Sequence, residues 1–287
     1  MTRALTILLA LAPATALAQV SPPPPSDAGH DPGFVTLDRF DASSKFGGEL
    51  SYLFPNHTTG SVTALRAELH GQYVDPASGF GAYAQLPVGY VRESDMGMTQ
   101  SGTGLGDLEL GGLYVPHVAN PDLAIVLRAG ITLPSGSTGS DAETANLAAA
   151  FTRLNDYYLA VPGGLSGRFS GSLLARSGKL FVRADLGLDA NKSADGNANV
   201  DAVVHLNAGV GADLGGGLDI MGEVVNLYDT GDNGNTSGSS WINAAAVSMR
   251  LYTGTVQPYA ALVLPLDDDA SSLMTAALTV GLEGTLE

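Results

Sequence analysis

The sequence predicts an all-β fold, a transmembrane antiparallel up-and-down β-barrel of about 12 strands. Three observations point there. Apolar and polar residues alternate with a period of two along segment after segment, which sends them to opposite faces of a strand. The links between those segments alternate between short and long, as in a barrel with tight turns at one end and loops at the other. Charged residues make up 15% of the chain and Gly 37 of its 287 residues, whereas ordinary soluble domains carry about 25% charge and about 7% Gly.

The start of the chain reads as a signal peptide, residues 1–18. Arg3 supplies a positive n-region, Ala4 to Ala12 an apolar run, and Ala16-Leu17-Ala18 a small-x-small cleavage site. A membrane anchor is the alternative, but the run falls short of the roughly 18 residues of a spanning helix. Residues 19–41, with four consecutive prolines from Pro22, are expected to be a Pro-rich disordered linker without a catalytic role. The barrel is assigned to residues 42–287.

Twelve segments read as strands: 45–54, 61–74, 79–91, 105–118, 121–133, 164–176, 178–190, 200–214, 217–229, 240–252, 256–265 and 272–286. In the second, Thr63, Leu65, Ala67, Leu69 and Tyr73 alternate with Arg66, Glu68, His70 and Gln72. In the seventh, Leu180, Val182, Ala184, Leu186 and Leu188 alternate with Phe181, Arg183, Asp185 and Asp189. Each suits the 9–11 residues of a tilted membrane strand.

Asp75-Pro76-Ala77-Ser78, Ala119-Asn120, Ser177, Gly215-Gly216 and Thr253-Gly254-Thr255 are tight turns. Longer connections fall at 55–60, 92–104, 134–163, 191–199, 230–239 and 266–271. An even strand number leaves both chain ends on the short-turn side.

Tyr52, Phe54, Tyr90, Tyr228 and Trp241 lie toward the long loops, and Tyr73, Phe80, Tyr114, Phe181, Tyr252 and Tyr259 toward the short turns. Two aromatic belts at the lipid boundaries would place them so. Strands favour aromatics in any case, and a secreted soluble β-protein is the alternative. In Asp141 to Val161, Leu147, Phe151, Leu154 and Tyr158 follow helical spacing. That stretch reads as a short helix in the longest loop, with an irregular external loop as the alternative.

Two motifs carry a resemblance: Gly104-Leu-Gly-Asp-Leu-Glu-Leu-Gly-Gly-Leu-Tyr114 and Arg128-Ala-Gly-Ile-Thr-Leu-Pro-Ser-Gly136. Together with Arg153-Leu-Asn-Asp-Tyr157, they resemble the outer-membrane transporters named for the meta-pathway of phenol degradation. The resemblance implies a porin-like β-barrel. The chain departs from many outer-membrane barrels at its end, Gly284-Thr-Leu-Glu287, which carries no terminal aromatic.

The polar strand face defines the candidate site. It assigns Glu49, Glu68, Asp107, Glu109, Asp185, Asp201, Asp213, Asp219, Glu223 and Glu283 to the lumen, with Arg66, Arg128, Arg168, Arg183, Arg250, His70 and His205. More acids than arginines favours cations over anions. Arg–carboxylate ladders that only rigidify the wall are the alternative role. Twelve strands lie between the roughly 8 that enclose only side chains and the 16–18 of open pores. A narrow lumen, constricted by residues 134–163, is expected.

Other chemistry finds little support. Zero Cys excludes thiol catalysis and Cys-ligated metals, and the acidic excess argues against nucleic acid. No Gly-x-Ser-x-Gly elbow accompanies His70 or His205, and Arg168-Phe-Ser-Gly-Ser172 offers nothing comparable. The loop with Asp229, Asp232 and Asn233 lacks EF-hand spacing. No catalytic residue, cofactor or metal is expected. The functional expectation is a channel in the outer membrane for passive diffusion of small solutes, with outer-membrane lipid as its surroundings. A structural or adhesive barrel acting through its loops, and an outer-membrane hydrolase, are the alternatives.

Overall fold

A computed structural model describes residues 33–56, 61–95, 98–160, 164–193, 200–230 and 241–286. The expected signal peptide, residues 19–32 of the expected linker, and the loop positions Asp232 and Asn233 lie outside the described residues.

The strands are β1 (Lys45–Pro55), β2 (Ser61–Val74), β3 (Phe80–Asp95), β4 (Met98–Leu105), β5 (Leu108–Tyr114), β6 (Leu123–Leu133) and β7 (Gly164–Ser177). They continue as β8 (Leu180–Ser193), β9 (Val200–Asp213), β10 (Leu218–Asp229), β11 (Trp241–Leu251), β12 (Val256–Pro265) and β13 (Met274–Thr285). Neighbouring strands pair antiparallel, and β1 pairs with β13, from Lys45 opposite Thr285 to Pro55 opposite Met274. The sheet is therefore closed.

Strands β4 and β5 share one place in the wall. Strand β5 pairs with the first half of β3 (Phe80 opposite Tyr114) and β4 with the second (Val88 opposite Leu105). The barrel thus has the twelve expected positions. The expected 92–104 connection is instead a β-hairpin formed by β3 and β4. Thr99, Gln100, Ser101 and Thr103 present no apolar face, so the two-residue hydrophobic period that marks the other strands is missing there.

Burial is inverted relative to a soluble protein. Leu69, Phe80 and Leu186 are 70%, 64% and 61% exposed, while Arg66, Arg168 and Glu109 are buried. Closed strand pairing satisfies the backbone, so an apolar outer face is compatible with lipid. Two expectations about aromatic belts are corrected: Phe181 and Tyr259 are buried and point inward. Phe181 has the inward parity of Arg183, and Tyr259 packs over Gly281, where any side chain would collide with its ring. Tyr228 and Trp241 do pair on the wall at 5.0 Å, as do Phe80 and Tyr114 at 4.7 Å. Gly215, Gly216 and Gly217 turn the chain between β9 and β10 with φ of 85°, 66° and 81°, a left-handed run open to glycine.

Among the described residues three α-helices interrupt the strands: α1 (Ser140–Ala150), α2 (Tyr157–Ala160) and α3 (Asp268–Leu273). The expected helix in the longest loop is thus present. It packs inward through small residues, with Ala145, Ala149 and Ala150 buried and Leu147 exposed. Its seat is a seam of glycines. A Cβ on Gly89, Gly102 or Gly104 would stand 2.4, 2.1 or 2.4 Å from the carbonyl oxygens of Ala145, Asp141 or Ala142.

The expectation of a disordered linker fails over its last residues. Phe34, Leu37 and Phe40 are at most 1% exposed, inside the barrel. Apolar residues at these positions have no place in a solvated linker, and the lumen buries them: Phe34 meets the Phe181 ring edge-on at 5.6 Å, and Phe40 meets Tyr83 at 4.2 Å.

Candidate functional site

Two segments enter the lumen from opposite ends. Gly33 lies at the short-turn end, where its N–H donates to the Tyr252 hydroxyl at 3.1 Å and its carbonyl accepts from Arg250 Nε at 3.0 Å. From there the N-terminal segment runs inward and returns to β1 at Lys45. The other segment is the 134–160 loop, which descends from the long-loop end.

Glu223 on β10 receives the N-terminal segment. Its carboxylate accepts from the N–H groups of Val35, Thr36 and Leu37 at 3.2, 2.7 and 3.0 Å, from the Thr36 hydroxyl at 2.8 Å, and from Ser248. A buried carboxylate surrounded by donors is satisfied without a counter-charge. Arg153, from the loop, holds the other edge of the same segment, donating to the carbonyls of Val35 and Leu37 (2.7 Å to Leu37).

The loop is seated at the break between β4 and β5. Leu105 carbonyl accepts from Asn146 Nδ2 at 3.1 Å and from Ser137 N–H at 2.7 Å. Asp107 N–H donates to Leu159 carbonyl at 2.9 Å, and its carboxylate accepts from Gly136 N–H at 2.6 Å. A side chain at Gly106 would meet Leu159 carbonyl at 2.6 Å. The Gly104–Asp107 motif therefore docks the loop.

At the centre stands Asp156, with Arg153 at 2.5 Å, Arg168 at 3.1 Å, Arg39 at 3.5 Å and Arg66 at 3.6 Å. Burial alone would raise its carboxyl, but Arg153, Arg168 and the other two arginines outweigh that and hold it well below the usual carboxylate range. Glu49 and Glu68 face each other directly on β1 and β2. Such like charges repel. Arg39 bridges them at 3.2 and 2.7 Å, and Arg66 contacts both.

Further pairs line the wall. Arg168 also meets Glu109 at 2.8 Å and Asp189 at 3.0 Å; Asp189 in turn meets His205 at 2.9 Å. Arg183 meets Asp185 at 2.8 Å. Glu283 contacts Arg250, Lys45 at 3.4 Å and His70 at 3.3 Å. Asp219, fully buried, is in register with Arg250.

Of the residues assigned to the lumen from sequence, fifteen are buried and two are not brought together with them. Asp201 is exposed at its strand end, and Asp213 caps the following turn by accepting from Gly215 N–H at 2.7 Å. His70 and His205 are engaged by carboxylates and amides: His205 Nδ1 lies 3.2 Å from Asn155 Oδ1. Sequence reasoning missed Asp38, Arg39, Asp41, Lys45, Arg153, Asp156 and Asp189. The first three were legible in principle, because a solvated linker has no need of Phe34, Leu37 and Phe40 around them. Among the described residues no group of three or more metal-ligating side chains forms a metal site.

Two cavities inside the described barrel measure about 10 Å³ each, room for about one water molecule. One is lined by Arg128, Arg168 and His205 and the other by Asp41, Ser172 and Arg183. A depression of about 690 Å³ lies elsewhere, on the outer apolar face among Leu50, Leu69, Leu86 and Leu282. The lumen is occupied by the two inserted segments and the inward side chains of the wall.

No protein-family model and no curated protein matches the chain. Solved structures do. An outer membrane channel from Pseudomonas putida F1 is 13% identical, over 90% of this chain and 100% of that one, with a TM-score of 0.61. The NanC porin is 9% identical over 85% of this chain and 100% of that one, with a TM-score of 0.53. The KdgM porin is 13% identical over 84% and 99%, with a TM-score of 0.50. At these identities the likeness is one of fold, that of a closed antiparallel β-barrel.

Proposed function

We propose that this chain is a porin-like channel of the outer membrane, exported by its signal peptide, through which small solutes diffuse passively. The observation that carries the reading is what fills the lumen. The wall is a closed barrel of twelve positions with charged side chains inside, and packed among them are two segments attached at opposite ends that are not part of the wall. Such segments can leave without breaking the strand ladder. The similarity in fold to channels and porins supports the same reading.

The lumen is net acidic on this reading: with the two inserted segments left out, the buried charged residues among those described comprise nine acids and six Arg or Lys. Permeant cations are then favoured over anions. Purified protein in a planar lipid bilayer tests this. Discrete conductance steps, a cation-selective reversal potential in a KCl gradient, and larger steps after deletion of residues 137–160 are expected. No steps from either protein would overturn the channel reading and favour a structural or adhesive barrel.

A further inference from the structure

We propose that the wall around Arg128 is a binding site for small carboxylates carrying a flat apolar body, and that Asp38 and Phe40 of the N-terminal segment occupy it in the closed barrel. Five arginines on the strands are buried: Arg66, Arg128, Arg168, Arg183 and Arg250. Four of them meet a carboxylate that the wall itself supplies, Glu49 and Glu68, Glu109 and Asp189, Asp185, or Glu283. Arg128 differs. Among the described residues its ion-pair partner is Asp38, at 3.2 Å, which belongs to the inserted segment.

The rest of the contact has the layout of a ligand in a site. Asp38 Oδ2 accepts from Ser170 Oγ at 2.8 Å, and Ser170 also accepts from Arg128 Nε at 3.1 Å. The Phe40 ring lies 4.9 Å from the Arg128 guanidinium carbon and 4.2 Å from the Tyr83 ring. Tyr83 is itself 5.5 Å from the same guanidinium, and Val74, Leu113 and Val126 complete the apolar wall. Asp185 accepts from Asp38 N–H at 3.1 Å but keeps its own partner, Arg183.

When the segment withdraws, the Arg128 guanidinium loses the counter-charge that Asp38 supplies and the ring that Phe40 lays against it. A carboxylate restores the charge, and a ring restores the cation–π and aromatic contacts that Phe40 made. An uncharged or cationic ring of the same size restores half of this or opposes it. The segment is held by side chains, outside the strand ladder, so exchange leaves the barrel intact. The inference rests on the channel reading for the route by which such a solute arrives.

Titration calorimetry in detergent micelles, with benzoate as the probe and benzyl alcohol as its uncharged counterpart, tests the site without measuring conductance. Freeing the site with Asp38→Asn and Phe40→Ala together is expected to tighten benzoate binding by about tenfold or more, because self-competition is removed. Adding Arg128→Gln is expected to abolish the gain. No gain, a gain that survives Arg128→Gln, or equal binding of benzyl alcohol would each overturn the proposal.

A second measurement covers failure of that variant to fold. The chain has no Cys, so Leu37→Cys places one thiol on a fully buried position of the segment. Benzoate, and not benzyl alcohol, is expected to accelerate its maleimide labelling several-fold; an unchanged rate counts against the site. A barrel that binds benzoate and passes no current would leave this site standing while removing the channel reading.

Discussion

Arg153 donates from Nη2 to the Leu37 carbonyl at 2.7 Å, and this contact joins two segments that enter the barrel from opposite ends. The same guanidinium holds Asp156 of its own loop at 2.5 Å, so one side chain ties the loop's charge centre to the N-terminal segment. Neither segment can be displaced far without disturbing the other. The closed lumen is a two-part interlock.

Arg153→Ala should release both parts. Removing one partner of a buried ion pair typically costs about 3–5 kcal/mol, since the other charge is left uncompensated. Asp156 retains Arg168, Arg39 and Arg66, which places the cost toward the low end. The expected outcome is a much larger open fraction in single-channel recordings, with the detergent-folded barrel retaining its heat-resistant electrophoretic mobility. Unchanged gating with a destabilised barrel would refute the interlock.

Gly89→Ala should unseat α1. The added Cβ would stand 2.4 Å from the Ala145 carbonyl, a collision with backbone that no rotamer relieves. Overpacking of this kind costs about 1–3 kcal/mol. Protease cleavage within residues 140–150 should become several-fold faster. Gly222→Ala, which meets nothing within 4 Å, is the matched control and should leave the cleavage rate unaltered.

The pH dependence follows from Asp156. Its carboxyl is held below the ordinary value in the closed state, so the stabilisation is present above the ordinary Asp pKa and is lost as pH falls through the lower, folded value. Asp38 is also lowered, against burial, by Arg128 and Arg183. Closed-state occupancy should therefore be flat from about pH 8 to about pH 5 and decline only below about pH 4, near and beneath the ordinary Asp range. Bilayer recordings across that range would show it, and opening centred near pH 6 would contradict the assignment.

The orientation of the wall predicts an asymmetry. Leu186, 61% exposed on the outer face in mid-strand, should tolerate Arg poorly. An Arg facing lipid near the bilayer midplane costs about 2–4 kcal/mol. Leu186→Arg should lower folding yield into phospholipid vesicles, read by heat-resistant mobility and urea titration. A soluble β-protein would accept the change at an exposed position with little effect.

The sequence made the barrel legible because strand parity is a local property. Leu69 and His70 must face opposite ways in any pleated strand, so the outer and inner faces could be assigned before the strands were paired. The β3–β4 hairpin escaped because Thr99 to Thr103 lack an apolar face to betray the period. The site was half legible for the same reason. Arg66, Arg168 and Glu109 sit on strands with a readable parity, whereas Asp38, Arg39 and Asp156 lie in segments with none.

By itself, then, the sequence determined an all-β wall with acids and arginines on one face, apolar residues on the other, and no Cys anywhere. Tertiary structure alone decided what fills that wall. A period of two says which way a side chain points, but not whether residues 33–44 turn back into the lumen or whether an outer loop descends to meet them. Those outcomes depend on contacts between residues more than one hundred positions apart, such as Arg153 with Leu37 and Asp38 with Ser170. They form because each segment brings buried charges and aromatic rings whose partners exist only inside the closed barrel.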